Sequence, residues 1–136
     1  MSRSAHSGVR QVSLRKDGAG WCDRILHDEP GVIGAGGCSG FQALNLAVQF
    51  GARRIALVGF DARVDRGSHW HGDHGGGLHN PSEATAASWR RHLDAAAPAL
   101  AALGVAVINA SPLSLLQAFP RAPLEDALNM DREDDR

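Results

Sequence analysis

Residues 31–61 read GVIGAGGCSGFQALNLAVQFGARRIALVGFD, and this stretch constrains the fold more tightly than any other. A short apolar run ends in a glycine-rich turn, GAGGCSG. Phe41, Leu44, Ala47 and Val48 then recur on one face of a 3.6-residue period, with Gly51 placed as a helix stop. Ile55 to Phe60 is apolar throughout, the pattern of a parallel strand covered by helices on both faces. Strand, turn, helix and strand make a βαβ unit.

The flanking elements are read in the same way. Val9 to Arg15 (VRQVSLR) alternates as a short edge strand does. In NPSE, Asn80 suits a helix cap, Pro81 the first helical position, and Glu83 lies where its carboxylate reaches back to the cap. Trp89, Leu93, Ala97, Leu100 and Leu103 continue as a helical stripe in which Pro98 predicts a kink. Val105 to Ile108 is a further buried strand, and a short helix is expected from Pro112 to Ala118. The order predicts an α/β fold, a Rossmann-like three-layer sandwich with a mostly parallel sheet and right-handed crossovers. It divides the chain into a weakly patterned segment at 1–30, the α/β domain at 31–128, and a charged tail at 129–136.

Composition narrows the functional classes. A chain of 136 residues supports one core, and 43% apolar with 21% charged residues excludes intrinsic disorder. Fourteen Lys+Arg against fifteen Asp+Glu leave a net charge of -1, which argues against nucleic acid as the main partner. No apolar run approaches the roughly 18–20 residues of a membrane span, and MSRSAHSGVRQ lacks the apolar core of a signal peptide. The expectation is a cytoplasmic protein without membrane contact. Two cysteines make no disulfide framework. Edge strands of so small a parallel sheet call for cover, which favours a homo-oligomer.

Two segments carry chemistry. In the glycine turn, Gly34, Gly36, Gly37, Ser39 and Gly40 are the candidate ligand-binding residues, because glycine lets a backbone approach an anion and a helix start attracts it. The plain alternative is a tight turn with Ser39 as the cap. The helix start also favours a lowered thiol pKa at Cys38.

The second segment is DARVDRGSHWHGDHGGGLH, nineteen residues between Phe60 and Asn80, longer than the roughly 12–15 residues of an ordinary connection. His69, His71, His74 and His79 follow H-x-H-x-x-H-x4-H, with Asp73 among them. Imidazole and carboxylate suit zinc or another divalent metal. The alternatives are a catalytic or substrate-binding histidine and a solvated polar loop.

SHWHGDHGGG resembles the H-x-H-x-D-H-x-G signature of metallo-β-lactamase-type hydrolases, which implies His69, His71, Asp73 and His74 as ligands of a metal-dependent hydrolase. In those enzymes the signature follows almost directly on a strand; here eight residues separate Phe60 from His69. A longer resemblance covers about Gly31 to Leu128. SGFQALNLAVQFGARRIALVGFD, HWHGDH, LHNPSE, the Trp89 helix, VINASP and FPRAPLEDAL are similar to phage and prophage proteins of unassigned function. Their core resembles the Rossmann domains of bacterial sialyltransferases and flagellin-glycosylation accessory factors. That resemblance implies a nucleotide or nucleotide-sugar ligand, with Ser39 and Gly40 against the donor. It also implies Asp61 at the carboxyl edge of the sheet and His69 or His71 as general base. Cys38 stands where that pattern has Asn or Thr, and the chain has no Tyr to assist a departing phosphate. The opening strand and turn of such enzymes are not matched, so the chain reads as the C-terminal part of a longer ancestor. A non-catalytic assembly or binding module is the alternative.

Overall fold

The computed structural model describes residues 10–67, 75–76 and 79–129. Within them the chain is a mixed α/β structure whose strands pair two by two. β1 (Ser13–Leu14) runs parallel to β4 (Val32–Ile33), and β5 (Arg54–Leu57) runs parallel to β6 (Ala106–Asn109). β2 (Lys16–Asp17) and β3 (Gly20–Trp21) form an antiparallel hairpin. Gly18 takes φ +59° in its turn, and Lys16 Nζ stands 3.7 Å from the centroid of the Trp21 ring. The helices are α1 (Ser39–Gln49), α2 (Glu83–Ala102) and α3 (Leu124–Asn129).

One apolar cluster unites α1, α2 and the β5–β6 pair. Phe41 and Leu44 from α1 meet Leu93, Ala96 and Leu100 from α2 over Leu57 and Val107. Ile25, Leu116 and Phe119 close the cluster, so both the N-terminal segment and the stretch after β6 join the core. The stripe read at Phe41, Leu44 and Val48 thus packs as its spacing requires. Gly51, at φ +85° with its N–H on Val48 C=O, ends α1 in the left-handed conformation expected of a glycine stop.

Several expectations are corrected. β5 is not covered on both faces: Leu57 is buried, whereas Ala56 is exposed and Val58 is 57% exposed. The cause is that α1 and α2 share one face of the β5–β6 pair. The six-residue α3 near β5 buries none of its own residues. The cap of α2 is Ser82 and not Asn80, because Ser82 Oγ accepts the Thr85 N–H at 3.2 Å. Similarly Cys38, not Ser39, occupies the cap position of α1.

No helix forms over 112–118. Its backbone donors find acceptors elsewhere: Leu115 N–H on Asp61 C=O, Leu116 N–H on Ser114 Oγ, and Gln117 and Ala118 N–H on the Asp94 carboxylate. Donors so engaged are lost to an i−4 ladder. α3 follows instead, in a stretch for which the sequence analysis names no element.

Gly36 has little freedom to change. A Cβ built there would lie 1.9 Å from the Phe41 ring, and its φ of +55° is one that side chains disfavour. Gly51 has positive φ but open space around it. Denaturant unfolding should therefore show Gly36→Ala losing about 2–4 kcal/mol, from strain plus overpacking, and Gly51→Ala only about 1 kcal/mol. Equal losses would contradict the packing at Phe41.

Candidate functional site

The glycine turn is held from two sides before it reaches α1. Asp23 Oδ1 accepts the Gly36 N–H at 2.8 Å, and α2 reaches over from the other side. Trp89 Nε1–H donates to Gly37 C=O at 2.8 Å, and His92 Nδ1–H donates to Gly36 C=O at 3.1 Å. His92 Nε2 lies 3.5 Å from Asp23 Oδ2, so one imidazole bridges α2, the turn and the N-terminal segment. The turn is thereby fixed by hydrogen bonds to both its donors and its acceptors.

Beyond this clamp, the first turn of α1 opens onto a cavity of about 350 Å³. Cys38, Ser39 and Gly40 line it from α1, Phe60 from the end of β5, and Trp89 and Leu93 from α2. A Cβ on Gly40 would stand 2.9 Å from the Phe60 ring, so glycine lets the β5 exit close against the helix. The N–H groups of Gly40 and Phe41 lie toward Cys38 Sγ and favour the thiolate, but burial outweighs them. The Cys38 thiol is therefore pushed up, the reverse of the lowered value that a helix start suggests.

The far wall continues into the strand-exit loop. Ala62 adopts φ +50°, the only non-glycine residue with positive φ among the described residues, and it too lines the cavity. Such a conformation persists only where surroundings impose it. Here Arg90 Nη1 donates to Ala62 C=O at 2.7 Å, Leu115 N–H holds Asp61 C=O, and Arg63 Nη1 reaches Leu113 C=O at 3.2 Å. Arg63 also grips the Asp65 carboxylate with two donors, lowering its pKa from 3.8 to about 2.

The residues singled out in the sequence separate in space. Ser39 and Gly40 line the cavity, and Asp61 sits between its lining residues Phe60 and Ala62. Gly34 and Gly36 are buried by packing: a Cβ on Gly34 would lie 2.1 Å from Arg24 C=O. Gly37 is exposed and presents its carbonyl to Trp89. His79 is exposed just ahead of α2. His69, His71, Asp73 and His74 lie outside the described residues. Among the described residues, no three His, Cys, Asp or Glu side chains group as a metal site would require. No helix among them is long and apolar enough to cross a membrane. Trp89 was read from sequence only as part of an apolar stripe, and His92 and Asp23 received no role. Their hydrogen bonds span 52 residues or more to α2, except that of Asp23 to Gly36, so no local pattern signals them.

Comparison with known protein families, with curated proteins and with solved structures finds no match.

Two outcomes test that geometry. Ala62→Gly should raise stability by about 0.5–1 kcal/mol in denaturant unfolding by relieving the positive φ; a loss would mean that Ala62 is unstrained. The depressed Asp65 pKa means that its contribution to stability is complete above the ordinary carboxylate pKa. That contribution fades as pH falls from about 4 to about 2. NMR titration of the Asp65 carboxyl should return it to its ordinary value in Arg63→Gln; an unchanged value would remove Arg63 as the cause.

Proposed function

We propose that this chain is a Rossmann-like α/β domain that binds a nucleotide or nucleotide sugar where the start of α1 faces the end of β5. One observation carries the reading. The first turn of α1 has no acidic residue and no side-chain cap hydrogen bond, and it opens onto a cavity walled by two aromatic rings. Its leading N–H groups have no carbonyl partner within the helix, and a thiol is a weak acceptor for them. A phosphate oxygen is a far stronger acceptor, and the helix dipole favours its charge. Trp89 and Phe60 offer faces on which a base or sugar packs, and about 350 Å³ lies within the range of small-molecule pockets.

In this reading the activity is glycosyl transfer of the sialyltransferase type. A histidine of the loop after β5, His69 or His71, takes the proton of an acceptor hydroxyl as that oxygen bonds to the sugar. The bond from sugar to nucleotide phosphate breaks, and the departing charge meets the α1 amides.

The test is a ¹H–¹⁵N NMR titration of the protein with CMP, UMP and AMP. At least one should shift the Ser39 and Gly40 amides together with the Trp89 indole N–H in a saturable way. Trp89→Ala should weaken that binding about tenfold or more, the scale of one lost stacking partner. If none of the three nucleotides moves Ser39 or Gly40, the site is not a nucleotide site.

A further inference from the structure

Gly36 gives both of its backbone groups to one ring of polar contacts. Its N–H donates to Asp23 Oδ1 at 2.8 Å, and its C=O stands 3.1 Å from His92 Nδ1. The ring closes between the two side chains, where His92 Nε2 lies 3.5 Å from Asp23 Oδ2. A carbonyl only accepts, so Nδ1 carries a hydrogen. That fixes the tautomer. A neutral imidazole with its hydrogen on Nδ1 has a bare lone pair on Nε2, beside a carboxylate that is also an acceptor only. The imidazolium has an N–H on both nitrogens and a charge opposite to that of Asp23, so it alone satisfies both ends of the ring.

We infer that His92 is a proton-operated latch on the glycine turn: as a cation it ties α2 and the N-terminal segment to Gly36, and on losing its proton it releases the Asp23 end of the tie. Imidazole is the side chain that changes charge between about pH 5 and 8. His92 and Asp23 keep 27% and 38% of their side-chain surface exposed, so the proton exchanges with solvent without opening the core. Among the described residues, the charged neighbours of the ring in the chain are engaged elsewhere. Arg24 turns to Asp17 at 3.5 Å, Arg91 reaches Ser88 Oγ, and Asp94 accepts the N–H groups of Gln117 and Ala118. In the turn itself, burial pushes the Cys38 thiol up, which keeps it neutral through this range. The latch adjoins the α1 cavity. Trp89, one helical turn before His92 on α2, donates to Gly37 C=O and lines that cavity, and Cys38, Ser39 and Gly40 follow directly on the latched residues. A latched turn holds these cavity residues in place, whereas an unlatched one must be ordered again when an anion binds. As regulation of ligand binding this rests on the nucleotide reading; the latch itself does not.

The experiment uses the whole chain from about pH 5 to about pH 8, at first without ligand. Long-range ¹H–¹⁵N spectra should show both His92 ring nitrogens protonated at the acid end, and the hydrogen kept on Nδ1 once the ring is neutral. Hydrogen-exchange protection of the Gly36 amide, corrected for the intrinsic rate, should fall about tenfold as His92 loses its proton, the scale of one lost charge-assisted bond. Asp23→Asn keeps an oxygen for the Gly36 N–H and presents an NH₂ that donates to a neutral Nε2, so its protection should stay level. A neutral His92 protonated on Nε2, a Gly36 amide that ignores the titration, or an equal fall in Asp23→Asn overturns the inference. If Asp23→Asn does not fold, the spectra and Gly36 protection of the unaltered chain still decide the matter. UDP-glucose, whose phosphates keep their charge over this range, should then bind about tenfold more tightly at the acid end than at the basic end. Equal binding at both ends overturns the latch's hold on the site. No binding at either end, with Gly36 still following His92, sinks the nucleotide reading and leaves the latch standing.

Discussion

Two amide side chains one helical turn apart hold the N-terminal segment to the rest of the molecule. Asn45 is 0% exposed, accepts the N–H groups of Leu26 and Gly34, and donates to Leu26 C=O. Gln49 accepts the Gly31 N–H and donates to the carbonyls of Leu26, Glu29 and Val32. The two residues thus serve the backbone of residues 26–34, where β4 is only two residues long and cannot provide a ladder for it. Buried backbone polar groups must be paired somewhere, and here the helix supplies what a wider sheet would. Without Asn45 and Gln49, Ile25 loses its seat in the core and the glycine turn loses its starting direction.

The same economy shapes the candidate site. α1 is directed by the turn before it, and the turn is directed by Asp23, Trp89 and His92, each bonded to a backbone group of Gly36 or Gly37. Glycine at 34 and 36 answers to Arg24 C=O and Phe41, so the turn is shaped by packing before any ligand is considered. What reaches the cavity is the short remainder, Cys38 to Gly40, at the point where the helix dipole is strongest. A clamped turn holds these groups in place in advance, which would lower the ordering cost of the anion binding proposed for it.

The parts of the fold that depend on local periodicity were legible in the sequence, and the parts that depend on distant partners were not. α1, Gly51 and β6 follow from spacing alone, β6 to within one residue. The 112–118 segment reads as helix because its residues suit one, but its donors are captured by Asp94 and Asp61, many residues away. The β2–β3 hairpin carried a short-range Asp17-Gly18 turn signal that went unread. Asn45 and Gln49 are polar positions of an amphipathic helix, and polarity by itself cannot distinguish a solvated side from one that serves a neighbouring backbone. For the site, Ser39, Gly40 and the Phe60–Asp61 strand end were legible. Trp89 was visible only as apolar bulk, since its indole N–H finds Gly37 across 52 residues.

The α1 cavity and a second cavity, of about 530 Å³ at the carboxyl end of β6, are mechanically joined even though they share no lining residue. Ser111 Oγ, on the β6 exit, donates to Leu57 C=O and accepts the Phe60 N–H, and Ser114 Oγ donates to Phe60 C=O. Both backbone groups of Phe60 are therefore fixed by the loop beyond β6, which through Ser111 also walls the second cavity. The Phe60 ring in turn walls the α1 cavity and closes on Gly40. Any shift of the β6 exit large enough to matter must move Phe60 with it, because two buried hydroxyls would otherwise lose their partners inside a low-dielectric core. The carboxyl edge of the parallel pair is accordingly a single hydrogen-bonded unit, and the geometry at the start of α1 is set in part from the exit of the neighbouring strand, β6.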